Sequence, residues 1–173
     1  MNSATTISVL LARLEQLSVA LGRVVSWMTL TMVLITFAVV VLRYLFGTGV
    51  IWLQESITWL HAVVFMLGAA YTLQQEEHVR VDIFYREMTA RGRAWVNIGG
   101  LILFLWPMCI YLCVEAFDYV RVSWQIREGS REAGGLPFPF VPLLKSVILL
   151  MPLTISLQGV AIFLRSLVHL REG

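Results

Sequence analysis

The stretch Val24–Leu42, VVSWMTLTMVLITFAVVVL, runs for 19 residues without a charged side chain. A helix that rises ~1.5 Å per residue would extend about 28 Å over this run, which matches the hydrocarbon thickness of a bilayer. Further apolar runs follow at 51–73, 95–114 and 147–164. Runs of this length and number predict an all-α membrane protein with four transmembrane helices.

The composition supports the membrane assignment and bounds the number of domains. Of the 173 residues, 58% are hydrophobic and 14% are charged, and the mean hydropathy is +0.79. A soluble domain of this size carries more charge. We expect a single four-helix transmembrane domain over 1–173. The predicted spans are about 22–44, 51–74, 91–127 and 143–167, and the segment 7–19 has the pattern of a helix on the membrane surface or of a continuous extension of the first span.

The placement of basic residues predicts an orientation. The end of the bundle that carries both termini collects Arg13, Arg23, Arg80, Arg86, Arg91, Arg93, Arg165 and Arg171, and the opposite end collects Arg43, Arg121, Arg127, Arg131 and Lys145. Short loops rich in Lys and Arg stay in the cytoplasm. Both termini are therefore expected to be cytoplasmic.

Turn and capping residues predict how the spans are joined. The turn around Gly47 to Gly49 is so short that the first two helices must be antiparallel neighbours. Thr89 is a candidate cap for the third span, and Pro107 inside that span favours a kink because it removes a backbone hydrogen bond. Helical periodicity continues to Arg127, and a Gly- and Pro-rich loop with apolar residues follows at 128–142.

The second span carries polar or aromatic residues on two faces. Trp52, Glu55, Trp59 and Met66 share one face, and His61 lies roughly opposite. Polar side chains inside a membrane are costly, so each invites a functional hypothesis. A helix that is polar on both sides is expected to be covered on both sides.

Two functional alternatives centre on this helix. Glu55 is a candidate ion site of a small stand-alone exporter, or it orients the helix end within reach of water or of Arg43. His61 is a candidate haem ligand of a redox membrane anchor, but its possible partners, His78 and His169, lie outside the spans.

Motifs of soluble enzymes are absent from the sequence. It contains no nucleotide-binding loop, zinc motif or nucleophile elbow, so no catalytic residue and no metal ligand is predicted. The basic residues of the 74–93 connection are mixed with acidic ones, which favours contact with lipid over contact with nucleic acid.

The order of several short motifs resembles a known family. These motifs are Trp52-Leu-Gln-Glu55, Leu67-Gly68-Ala-Ala-Tyr71, His78-Val-Arg-Val-Asp82 and Gly134-Gly-Leu-Pro137, followed by Lys145, Pro152 and Gln158. Together they resemble the small, DctQ-like membrane subunits of tripartite ATP-independent periplasmic (TRAP) transporters, over nearly the whole chain. Gln54 stands where many relatives carry a second acid.

The resemblance implies a non-catalytic subunit in the bacterial inner membrane. In such transporters a large membrane subunit carries the substrate and sodium sites, and a periplasmic binding protein delivers an organic anion, usually a carboxylate. The small subunit packs on the scaffold of the large one, forms a heterodimer with it and binds no cofactor itself. The residues expected at the subunit interface are Trp52, Glu55, Trp59, His61, Met66, His78 and Asp82. Those expected in a periplasmic docking loop are Gly134, Gly135, Leu136, Pro137, Phe138, Phe140 and Lys145.

Overall fold

Helices account for nearly all of the chain that the structure describes. The structure is a computed structural model, and it describes residues 3–75, 85 and 87–172. The elements are α1 (Ser3–Leu45), α2 (Ile51–Gln74), α3 (Ala90–Gly100), a π-helical segment (Leu101–Leu105), α4 (Trp106–Gln125) and α5 (Phe140–Glu172). The segments α3, π and α4 are continuous and form the third span. Within these described residues, four helices are long and apolar enough to cross a membrane, which confirms the predicted fold class.

The boundaries agree closely with the sequence pattern. Helix α2 covers the predicted 51–74, and the third span ends two residues before the predicted Arg127. Helix α1 continues without a break from Ser3, so the N-terminal segment is an extension of the first span. Helix α5 starts three residues earlier than predicted and includes Pro142 in its first turn, where a missing N–H group costs nothing.

The third span shows how its cap and its proline are accommodated. Thr89 caps α3 as predicted, since its hydroxyl accepts a hydrogen bond from the N–H of Gly92 at 3.1 Å. Ahead of Pro107 the helix widens, and the N–H of Trp106 bonds the carbonyl of Leu101, five residues earlier. A widened turn thus precedes the proline at the place where the sequence predicted a kink.

Helix α4 ends in a Schellman motif. The N–H of Glu128 bonds the carbonyl of Ser123 at 3.1 Å, and the N–H of Arg127 bonds the carbonyl of Trp124 at 3.3 Å. Arg127 takes the left-handed conformation, with φ of 50°, that this motif requires and that glycine usually supplies. The chain therefore reverses direction sharply and enters the connection to α5, which we call the long loop (residues 126–139).

Small residues allow the helices to approach closely. A side-chain carbon on Gly22 of α1 would lie 2.6 Å from the ring of Tyr71 on α2. One on Gly159 of α5 would lie 3.2 Å from Leu105 in the π segment. Gly159 thus allows α5 to approach the third span closely.

Polar pairs join α1, α2 and α5 at the end of the bundle opposite the long loop. The hydroxyl of Ser18 donates to Gln158 Oε1 at 3.0 Å, and both residues are buried. The amide of Gln74 donates to the carbonyl of Glu15 at 3.2 Å, and the Glu15 carboxylate pairs with Arg165. We call this end, with residues 11–23, 74 and 158–166, the termini end.

Candidate functional site

The long loop closes on itself through a narrow neck. The N–H of Ser130 bonds the carbonyl of Leu136 at 3.0 Å, so two points of the chain with five residues between them are in contact. In the chain between these two points, the N–H of Gly135 bonds the carbonyl of Glu132 at 3.0 Å, and Gly134 has a φ of 79°. Glycine adopts that conformation without strain, which explains one of the paired glycines.

The carboxylate of Glu55 on α2 anchors the neck through hydrogen bonds. The hydroxyl of Ser130 donates to Glu55 Oε1, and the N–H of Leu136 donates to Glu55 Oε2 at 2.6 Å. One carboxylate therefore bonds both sides of the neck, one oxygen to each. Glu55 also lies near the N-terminus of α2, where the helix dipole favours a negative charge.

Gly135 is required because the carboxylate lies so close to it. A side-chain carbon at this position would lie 2.7 Å from Glu55 Oε2 and would also meet the side chain of Ser130. Any larger residue must displace one of these two groups. The Gly134-Gly135 pair thus combines a left-handed turn with a point of close contact.

Trp59 joins α2 to the start of α5 one turn further along the helix. Its indole Nε1 donates to the carbonyl of Phe140 at 2.9 Å, and the two rings pack edge to face at 6.3 Å. On the other side of the loop, Trp124 donates to the hydroxyl of Ser146 at 3.0 Å and packs edge to face on Phe138. Two indoles therefore fix the end of the long loop.

Glu128 connects the cap of α4 to α5. Its Oε2 accepts hydrogen bonds from the hydroxyl of Ser123 at 2.6 Å and from Lys145 Nζ at 2.5 Å. Lys145 Nζ lies 4.0 Å from the centroid of the Tyr119 ring. The hydrogen bond from Lys145, followed by the one from Ser123, holds the pKa of the Glu128 carboxyl below its ordinary value, although burial opposes this.

The residues predicted at a subunit interface lie in different surroundings. Glu55 and Trp59 contact the long loop and α5 of their own chain. Met66 lines a cavity of about 270 Å³ between α2, α4 and α5, whereas Trp52 is 51% exposed. His61 is exposed and lines a groove between α1 and α2. His78 and Asp82 lie outside the described residues.

The predicted docking-loop residues lie together at the long-loop end, with different exposures. Gly134, Pro137, Phe138 and Phe140 are exposed, and Gly135 and Leu136 are half-buried around Glu55. Lys145 is half-buried within α5, where its ammonium group is bonded to Glu128. The loop thus presents a surface whose base is anchored.

Sequence reasoning missed the partners in these contacts. The pattern placed Glu55 near water or Arg43, but its partners are Ser130 and a backbone N–H group 81 positions away. The pairing of Glu15 with Arg165 was also missed. A signal existed for this pair, because opposite charges flank two apolar runs at the same end of the bundle.

A comparison with protein families decides the assignment. Residues 32–172 match the family described as tripartite ATP-independent periplasmic transporters, DctQ component. The chain belongs to the DctQ family. It is therefore a small, non-enzymatic membrane subunit of a TRAP transporter, as the resemblance implied, and a multi-pass membrane protein.

A curated relative supports this family assignment. The chain is 30% identical over 88 residues to the C4-dicarboxylate TRAP transporter small permease protein DctQ of Vibrio cholerae serotype O1. The alignment covers 51% of this chain and 38% of that protein. No solved structure matched this DctQ chain significantly.

The carboxylate of Glu55 is expected to keep the long loop in place. Replacing Glu55 with Ala removes two hydrogen bonds to a charged group and should lower the free energy of unfolding by about 2 kcal/mol. Amide hydrogen exchange in 129–138 should become faster, while exchange in the centre of α5 should not change. Mass spectrometry of the detergent-solubilised protein measures both.

Glu132→Ala is the matched control for this variant. Glu132 lies in the same loop, is exposed, and its carboxylate has no bond within the described part of the chain. Equal exchange in Glu55→Ala, Glu132→Ala and the unsubstituted protein would contradict the anchoring role.

The Glu128 contact predicts a pH dependence of stability. Because the pKa of Glu128 is lowered on folding, its contribution is present at neutral pH. This contribution to stability is lost as the pH falls through the ordinary pKa of glutamate, about 4.3, and then through the lower pKa of Glu128 in the folded protein. Thermal unfolding of Glu128→Gln should therefore begin at a lower temperature than that of the unsubstituted protein at about pH 7, and the difference should shrink at about pH 3.5. An undiminished difference at low pH would refute the assignment.

Proposed function

We propose that the chain is the non-transporting small subunit of a sodium-coupled, binding-protein-dependent transporter for organic anions. It packs on the scaffold of the large membrane subunit, stabilises that scaffold and helps to dock the loaded binding protein. In this proposal sodium and substrate bind to the large subunit, and this chain binds no cofactor.

The contacts of Glu55 are the observation that carries the proposal. A carboxylate that transports an ion must exchange its partners during each cycle. Glu55 instead has one oxygen bonded to Ser130 and the other to the N–H of Leu136, so both of its oxygens are bonded to the loop. This arrangement favours a structural role over that of an ion site in a stand-alone exporter.

Carboxylates are the substrate class that the comparison supports. The relative from Vibrio cholerae is named as a C4-dicarboxylate transporter component. The chain is 30% identical to it over a part of its length, so we carry over the class of substrate and not the particular acid.

The proposed orientation places both termini in the cytoplasm and the long loop in the periplasm. The exposed loop residues Pro137, Phe138 and Phe140 then face the compartment of the binding protein. Because Glu55 fixes the neck, the loop reaches its partner already ordered, and binding costs less conformational entropy.

Cysteine labelling in intact cells tests this orientation. In a chain with Cys109 and Cys113 replaced by Ala, Ala133→Cys in the long loop should react with an impermeant maleimide. Ala90→Cys at the start of α3 should react only after the membrane is opened. Both alanines are exposed, so accessibility within the protein is matched. The reverse pattern would show that the protein is inverted.

Reconstitution into proteoliposomes tests the transport role. With labelled succinate and other carboxylates as probes, uptake should require this chain, the large subunit, the loaded binding protein and an inward sodium gradient. This chain alone should transport none of them. Glu55→Ala should raise the concentration of binding protein needed for half-maximal uptake, whereas Glu132→Ala should not.

Each possible failure of this experiment identifies a different error. Uptake by this chain alone would make Glu55 a candidate ion site and support the exporter. Uptake by the large subunit and binding protein without this chain would remove the proposed stabilising and docking roles. Uptake without a sodium gradient would remove the sodium coupling.

A further inference from the structure

A groove between α1 and α2 contains polar groups that have no partner among the residues that the structure describes. The groove has a volume of about 620 Å³, and its lining includes Met32, Phe37, Val40, Thr58 and His61. In the described part of the chain, neither the His61 imidazole nor the Thr58 hydroxyl has a hydrogen-bond partner. The other hydroxyl of the groove, that of Thr36, bonds the carbonyl of Met32.

The position of His61 places these groups deep in the membrane. His61 lies ten residues after Ile51 in a helix of 24 residues, so it is about 15 Å from one end and near the middle of the span. A binding protein in the aqueous compartment does not reach this depth. The occupant of the groove is therefore itself embedded in the bilayer.

A lipid acyl chain does not satisfy this groove. A neutral imidazole has one donor and one acceptor, and hydrocarbon offers a bond to neither. Leaving such a group exposed to lipid is costly, so an occupant with a polar group is favoured. The face around Phe104 on the third span differs, because its exposed neighbour Met108, one turn further along the helix, is apolar and needs only lipid.

Helix α1 is also the span that its own chain covers least. In the most apolar stretch of α1 no residue is buried, whereas 33% of the residues are buried in the corresponding stretch of α5. The groove extends from Met32 to Val40, or about 12 Å along α1, which is enough for two turns of a second helix. The length of the groove and its polar groups thus both fit a transmembrane helix that carries a polar side chain.

We propose that a transmembrane helix of the large subunit lies in this groove and hydrogen-bonds His61 through a polar side chain. This inference rests on the proposed function and assigns the intersubunit contact to one face of the chain. The face with Glu55 and Trp59 is already occupied by the long loop and α5. The contact with the large subunit is therefore made by α1 and the His61 side of α2.

Site-specific photocrosslinking tests this assignment in the assembled transporter. p-Benzoylphenylalanine is introduced in place of Phe37 in the groove or, as a control, in place of Phe104. Both positions hold phenylalanine, with exposures of 68% and 75% in the isolated chain. An adduct with the mass of this chain plus the large subunit should form from position 37 and not from position 104.

Variants of His61 test the hydrogen bond. His61→Phe fills the same space without polar atoms and should lower the amount of large subunit that co-purifies in detergent by about fivefold or more. His61→Gln keeps a donor and an acceptor and should lie closer to the unsubstituted chain. Equal recovery with both variants and the unsubstituted chain would overturn the proposal.

The crosslinking results separate this inference from the function on which it rests. Adducts of position 37 with lipid alone, or with a second copy of this chain, would overturn the inference. So would an adduct with the large subunit from position 104 alone. If the large subunit co-purifies in those cases, the proposed function stands. If the unsubstituted chain recovers no large subunit, the proposed function and the inference both fail.

Discussion

Hydrocarbon offers no hydrogen bonds, and the architecture of this protein follows from that constraint. Each span must satisfy its own backbone, so the chain crosses the bilayer as helices. Between apolar helix surfaces in lipid, burial gives little driving force, and specificity comes from close packing and from polar contacts. These contacts lie largely at the two ends of the bundle. Glu55 and Glu128 organise the long-loop end, and Glu15 and Ser18 contribute at the termini end.

The two ends are built differently. At the termini end, side chains join helices directly, as between Ser18 and Gln158. At the long-loop end, the carboxylate of Glu55 on α2 accepts two bonds from the connection, and the carboxylate of Glu128 within the connection accepts bonds from α4 and α5. A loop held in this way behaves as part of the helical scaffold. The glycines and prolines of the long loop therefore indicate a defined path of the chain and not flexibility.

The sequence was sufficient for features that depend on neighbouring residues. Apolar run length predicted the bounds of α2, and the capping preference of threonine predicted the cap of the third span at Thr89. Periodicity defines the faces of one helix but not how that helix is rotated against the others. For that reason the partners of Glu55 and the ion pair between Glu15 and Arg165 were not predicted. The pattern placed His61 on the face of α2 away from Glu55, but that it has no partner among the described residues became evident only from the packing.

The π-helical segment has a consequence for the register of the third span. A widened turn accommodates one residue more than an α-helical turn, and one residue corresponds to a rotation of about 100°. The faces of α3 and α4 are therefore set relative to each other by this single additional residue. Deleting one residue within Leu101–Leu105 would restore a regular helix and turn α4 by that angle. Cys109 would then leave the core, and Trp124 would turn away from Ser146 of α5. The length of this segment thus controls contacts that lie more than four helical turns away.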